Sequence, residues 1–213
     1  MSAEHILESK EFDVIATQLA QIGRFFAERG WSPATSSNYS ARLTNEYIAI
    51  TRSGIDKFHM NPSDIILVNQ DGQVAAPQGS KASAETLIHT AIYKKRPDAQ
   101  AVLHTHSVPN TRLSLKHLAN GYLNIQGYEM QKGLNGVTTH ESVIRVPILA
   151  NSQNMALFSQ TVEELLDREP KLQGFLMAGH GLYTWGKDLP EAKRHIETFE
   201  FLFDCLRHEE LGF

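Results

Sequence analysis

Short β-rich runs, each closed by a turn and set between helical stretches, constrain this chain more than any other feature. "NYSARL" and "EYIAIT" flank Thr44-Asn45 and predict a β-hairpin. "IILVN", closed by Asp71-Gly72, and "AQAVLHTH" are further runs of the same kind. "YLNIQ" and "VIRVPIL" place strands within residues 121–150, and "GFLMAGH" and "GLYTWG" read as a pair. Between them lie helices. Residues 11–29 carry Val14, Ile15, Leu19, Ile22, Phe25 and Phe26 at helical spacing and stop at Gly30. Ser83 caps "SAETLIHTAIYKKR", which Pro97 ends, and Pro109 opens a short helix through Lys116. "SQNMALFSQTVEELLDR" stops at Pro170, and "DLPEAKRHIETFEFLFDCLRHEE" makes a long final helix. Short strands with helices before, between and after them predict an α/β fold: a central, mostly antiparallel β-sheet flanked by helices. No repeat, low-complexity tract or linker divides the sequence. Residues 1–213 are therefore read as a single domain, long enough to bury a substantial core.

Composition narrows the partners. The net charge is −4 and no basic block occurs, so nothing points to nucleic acid. No apolar stretch approaches the roughly 20 residues that span a bilayer, and no membrane partner is expected. The polar start, "MSAEHILESKEFD", is unlike a signal peptide, and the single Cys205 rules out an internal disulfide. These features predict a cytoplasmic protein.

The chemistry gathers in "AVLHTHSVPN". On a strand, side chains two apart share a face, so His104 and His106 stand together while Thr105 points away. Two neutral imidazoles at that spacing suit a transition metal such as zinc; they equally suit a hydrogen-bonded structural pair. A catalytic zinc takes three protein ligands and keeps an open position. The candidate third is His180, at a strand end between Gly179 and Gly181, where glycine permits close approach. Cys205 falls within an amphipathic helix and reads as packing. His89, following Leu87-Ile88 on a helix, reads as a satisfied helix histidine.

"SAE", then "AVLHTHS", then "GHGLYTWG" together resemble the zinc-dependent class II aldolase/adducin-type family over residues 9–210. "YEMQKG" and the text after "GHGLYTWG" resemble the branch that removes water from a methylthio-bearing ketose phosphate. The resemblance implies one Zn²⁺ per subunit on His104, His106 and His180, an acid/base at Glu129, and a homotetramer with active sites near subunit contacts. Glu85 matches the position that serves aldolase relatives as ligand or base. Its alternative is a helix N-terminal carboxylate favoured by the dipole. Glu129, read alone, is a solvated loop carboxylate.

A sugar-phosphate substrate needs N–H and O–H donors from turns and helix starts. "TSSNYS", "TRSGIDK" and "GSKASAE" offer them, though Ser, Asn and Gly favour turns in any case. The resemblance assigns the phosphate to Asn38, Ser53, Gly54 and Ser83. Ala84 departs from the aldolases' second serine, with Lys81 a charged substitute. The implied reaction is dehydration of the ketose phosphate, with the metal stabilising enediolate charge as a Lewis acid. The same residues serve an aldolase or epimerase, and a metal-free interaction module like the adducin head is the reading from another class.

Overall fold

In the computed structural model, which describes residues 2–212, the chain runs as follows. Two helices, α1 (Ala3–Leu7) and α2 (Lys10–Glu28), lead into strands β1 (Asn38–Arg42), β2 (Tyr47–Thr51), β3 (Ile65–Asn69) and β4 (Val74–Ala76). Helix α3 (Thr86–Lys95), strand β5 (Ala101–Thr105) and helix α4 (Val108–Lys116) come next. Strands β6 (Tyr122–Ile125) and β7 (Ile144–Leu149), helix α5 (Met155–Arg168), strands β8 (Gly174–Met177) and β9 (Gly181–Gly186), and helix α6 (Leu189–Leu211) complete it. Among the described residues, no helix is long and apolar enough to cross a membrane.

The nine strands form one sheet in the order β4-β3-β2-β1-β5-β9-β8-β7-β6. Every neighbouring pair is antiparallel except β7 with β8. The predicted class therefore holds. Strand period two distributes the core. Ala101 and Leu103 join Leu19 and Phe26 of α2 and Ile196 and Phe199 of α6 on one face. Val102 joins Ile88 and Ile92 of α3 and Val162 and Leu166 of α5 on the other. The sheet is thus the middle of three layers, with β5 near its centre.

Local signals mostly place the helix ends as read. Ser9 caps α2 by accepting from the Phe12 amide, Ser107 caps α4, Asn154 caps α5 and Asp188 caps α6. Ser83 does not cap α3. The chain makes one turn first: the Ser83 hydroxyl accepts from the Glu85 amide at 3.2 Å, and the helix begins at Thr86 with Glu85 itself at the cap position. A serine and a threonine three apart satisfy a turn as readily as a helix start. Val14, at helical spacing with the α2 core residues, faces solvent. Cys205 is only partly buried and belongs to a surface groove, not the core.

Candidate metal centre

His104 is the penultimate residue of the wholly buried strand β5, and the strand register fixes its neighbours. It pairs with Asn38 of β1 on one side and Tyr183 of β9 on the other. The Tyr183 ring lies stacked on the imidazole, 3.9 Å between centroids and 8° from parallel. His106 follows just past the strand, held by its amide to the Trp31 carbonyl at 2.8 Å. The two rings sit 4.4 Å apart on the same face, as strand period two requires. His180 arrives on the turn between β8 and β9. Its ring centroid is 5.1 Å from that of His104 and 4.6 Å from that of His106.

Glu85, at the start of α3, closes the group. One carboxylate oxygen lies 3.0 Å from His180 Nε2 and the other 3.8 Å from His104 Nε2. One ligand atom from each of Glu85, His104, His106 and His180 lies within 4.8 Å of the others, a span one divalent cation can bridge. The family resemblance marked Glu85 as a possible ligand or base, though spacing alone did not join it to the histidines; the docking of α3 across β1 and β5 brings it there.

The donor set fits such an ion. The His104 Nδ1 sits 2.8 Å from the Leu182 carbonyl oxygen. A carbonyl can only accept, so Nδ1 carries the proton and Nε2 holds a lone pair. That Nε2, and the Nε2 of His106, are buried without a hydrogen-bond partner. Two orphaned imidazole nitrogens beside a carboxylate are the arrangement a metal satisfies. Burial, with the neighbouring imidazoles, holds His104 well below the usual histidine range; burial and the His180 charge bring His106 down to about 4. Both are neutral near pH 7, the form that ligates. Burial alone would raise the Glu85 carboxyl. The His180 hydrogen bond, the electrostatic influence of the neighbouring His104 and His180 rings, and the Asn38 amide outweigh it and hold the group ionised.

A cleft opens beside His106 and Glu85. Its walls include Asn38, Ser53, Gly54 and Ser83, with Ser36 and Arg52. All the residues expected at the phosphate therefore stand around one opening, although they come from three separate segments. Asn38 is committed further: its amide donates to Glu85 and its carbonyl oxygen faces His89 Nε2. Ser83 contributes a hydroxyl from a turn rather than a helix cap. Lys81 is outside the cleft lining; its backbone carbonyl accepts from the Ser53 amide at 2.9 Å.

Glu129 is not brought to this group. It opens a short 3-10 turn, Glu129–Gly133, with its side chain 70% exposed, paired to Lys132 and 3.7 Å from His140 Nδ1. Its neighbour Met130 lines a separate groove of about 780 Å³ with Trp31, Val108, Phe201 and Cys205.

Two features had no signal in the sequence. Lys57 is buried with its ammonium donating to the Ile55 carbonyl, and burial lowers it to about 8 against the pull of Asp56, Asp64 and Glu85. Tyr183, the stacking partner of His104, reads in sequence as an ordinary strand tyrosine.

The sequence model of the class II aldolase and adducin N-terminal domain family matches residues 17–206. The chain belongs to this family. Its class II aldolase relatives include the methylthioribulose-1-phosphate dehydratase of Marinobacter nauticus, 47% identical over 89% of this chain and 91% of that one. The enzyme of the same name from Sorangium cellulosum is 43% identical over 91% of this chain and 92% of its own. Among solved structures, the L-fuculose-1-phosphate aldolase of Thermus thermophilus superposes with a TM-score of 0.73 at 28% identity, covering 91% of this chain and 94% of that one.

Proposed function

We propose that this class II aldolase family member is a hydro-lyase of methionine salvage, a methylthioribulose-1-phosphate dehydratase. It converts 5-methylthioribulose 1-phosphate to 2,3-diketo-5-methylthiopentyl 1-phosphate. The observation that carries the reading is the convergence of His104, His106 and His180 beside a cleft lined by hydroxyl and amide donors. The near full-length likeness to dehydratases supports it.

Zinc on the three imidazoles would supply Lewis acidity for charge developing on the ketose oxygens when the C3 proton leaves. The remaining work falls to the chain's own groups. Asn38, Ser53, Gly54 and Ser83 would hold the phosphate and so fix the distance between C3 and the metal centre. Glu129 takes the C3 proton and then delivers it to the C4 hydroxyl, which departs as water. The first transfer leaves the carboxyl protonated, so one group can serve as base and then acid. The resulting enol tautomerises to the diketone.

Glu129 stands outside the histidine cluster of its own chain, and we assign its delivery to a neighbouring copy in a homotetramer. Exposed Val108, Met130 and Phe201 around one groove support self-association, since apolar surface of this kind is characteristically covered by a partner. A cytoplasmic setting suits a chain whose one cysteine is a free thiol.

One observation favours a second reading, an aldolase acting on another sugar phosphate. Glu85 sits among the ligands, where it could itself move a proton. Product analysis separates the two. Given 5-methylthioribulose 1-phosphate, the metal-loaded protein should release water and a single diketone phosphate. Dihydroxyacetone phosphate with an aldehyde would establish the aldolase instead.

A further inference from the structure

His89 lies one helical turn after Glu85 on α3, buried, and faces the sheet. Its Nε2 meets the Asn38 carbonyl oxygen in a short contact, and its Nδ1 lies 2.7 Å from the Ser40 hydroxyl. The same hydroxyl lies 2.9 Å from that of Tyr93, another helical turn along. Asn38 and Ser40 alternate on β1 and so present both side chains to α3. A continuous row results: Glu85, Asn38, His89, Ser40, Tyr93.

The direction of every bond in the row follows from its fixed end. An ionised Glu85 only accepts, so Asn38 meets it with the NH₂ group and turns its carbonyl oxygen to His89. That oxygen also only accepts, so His89 carries its proton on Nε2. Nδ1 is then bare, Ser40 must donate to it, and Tyr93 must donate to Ser40. The row admits one ordering, with every hydrogen aimed toward Glu85.

We propose that His89 is a positioning residue of the metal centre: by donating from Nε2 it locks the Asn38 amide with NH₂ toward Glu85, and so holds the carboxylate against His180 and His104. The proposal rests on the metal-centre reading above, and not on the identity of the substrate. Burial, which brings the imidazole down to about 3, keeps it neutral and preserves the single tautomer. Oriented partners of this sort commonly alter metal affinity by about 10–100-fold.

Two variants separate positioning from packing. In His89→Gln the amide nitrogen replaces ring Nε2 and keeps the donor to Asn38. In His89→Asn the group reaches only the Nδ1 position and loses that donor. Cobalt(II) affinity, by competition titration of the purified full-length chain, should stay within about threefold of wild type for the glutamine variant. It should fall about 10–100-fold for the asparagine variant, with an altered cobalt d–d spectrum. Equal affinities for the two variants would overturn the proposal. A wild-type chain that binds no cobalt would overturn the metal-centre reading with it, whereas binding without dehydratase turnover would count only against the substrate assignment. Should the asparagine variant not fold, ¹⁵N NMR of labelled wild-type histidines decides the matter. A proton on Nε2 of His89 supports the row as ordered; a proton on Nδ1 contradicts it.

Discussion

The Thr105 hydroxyl donates to the Glu200 carboxylate at 2.6 Å, on the face of β5 opposite the one that carries His104. Asn110 donates to the same carboxylate oxygen at 3.0 Å, while the other oxygen is buried without a partner. Residue 105, which lies between the two candidate ligands His104 and His106, thus ties the strand end to α6. The acid that receives it lies wholly inside the protein.

Burial pushes Glu200 up to about 7, against the lowering hydrogen bonds of Ser107, Thr105 and Asn110. The folded state therefore holds this proton more tightly than the unfolded chain, whose glutamates titrate near 4.5. The contribution to stability is fully present below pH 4.5 and is lost as pH rises through about 7. The pKa difference corresponds to about 3 kcal/mol. Denaturant midpoints measured from pH 5 to 8 should fall more steeply for wild type than for Glu200→Gln. Parallel curves for the two proteins would rule out a titrating Glu200.

Gly181 has no room for a side chain. An added Cβ would overlap the Thr105 carbonyl oxygen and stand 2.8 Å from His104 Cε1. The glycine beside His180 therefore serves close packing of β9 on β5 rather than approach of a ligand. Gly181→Ala should cost about 1–3 kcal/mol and loosen metal binding together. Thermal unfolding with parallel metal analysis tests it, and an unchanged metal content at lowered stability would detach the glycine from the metal centre.

Removing an imidazole should remove the ion. His104→Ala should purify with far less than one metal per subunit and lose turnover by more than the ~10–100-fold typical of outer-shell partners. Elemental analysis alongside the dehydration assay measures both. Full metal content in that variant would exclude His104 as a ligand.

Glu129→Gln should retain metal and the fold while turnover falls about 10²–10⁴-fold, the usual weight of a general acid/base. A rate close to wild type would end that assignment. Co-assembled Glu129→Gln and His104→Ala subunits should recover activity that neither has alone. No recovery in mixed oligomers would place the acid/base in the same chain as the histidines it serves.

Much of the architecture was legible because period and punctuation are local properties. Two residues on a strand share a face whatever surrounds them, so His104 and His106 could be paired from the sequence. Gly30, Asp71-Gly72 and Pro170 end elements by their own backbone preferences. The start of α3 was misread for the same reason: a serine satisfies a turn and a helix cap equally, and only the packed chain chose the turn. Neither the place of Glu85 among the histidines nor the row from Asn38 to Tyr93 has a local signature. Both exist because α3 lies across β1 and β5, and long-range packing of that kind leaves no periodic trace in the residues it joins. By itself, then, the sequence determined the sheet-and-helix class, the paired imidazoles and the glycine-flanked His180. Tertiary structure alone decided that β9 would carry Tyr183 onto His104, that Glu85, marked by the family resemblance as ligand or base, would stand among the histidines rather than serve only as a helix-start carboxylate, and that Glu129 would lie apart from it. Strand faces follow from backbone geometry, whereas meetings between distant side chains follow from which layers bury one another.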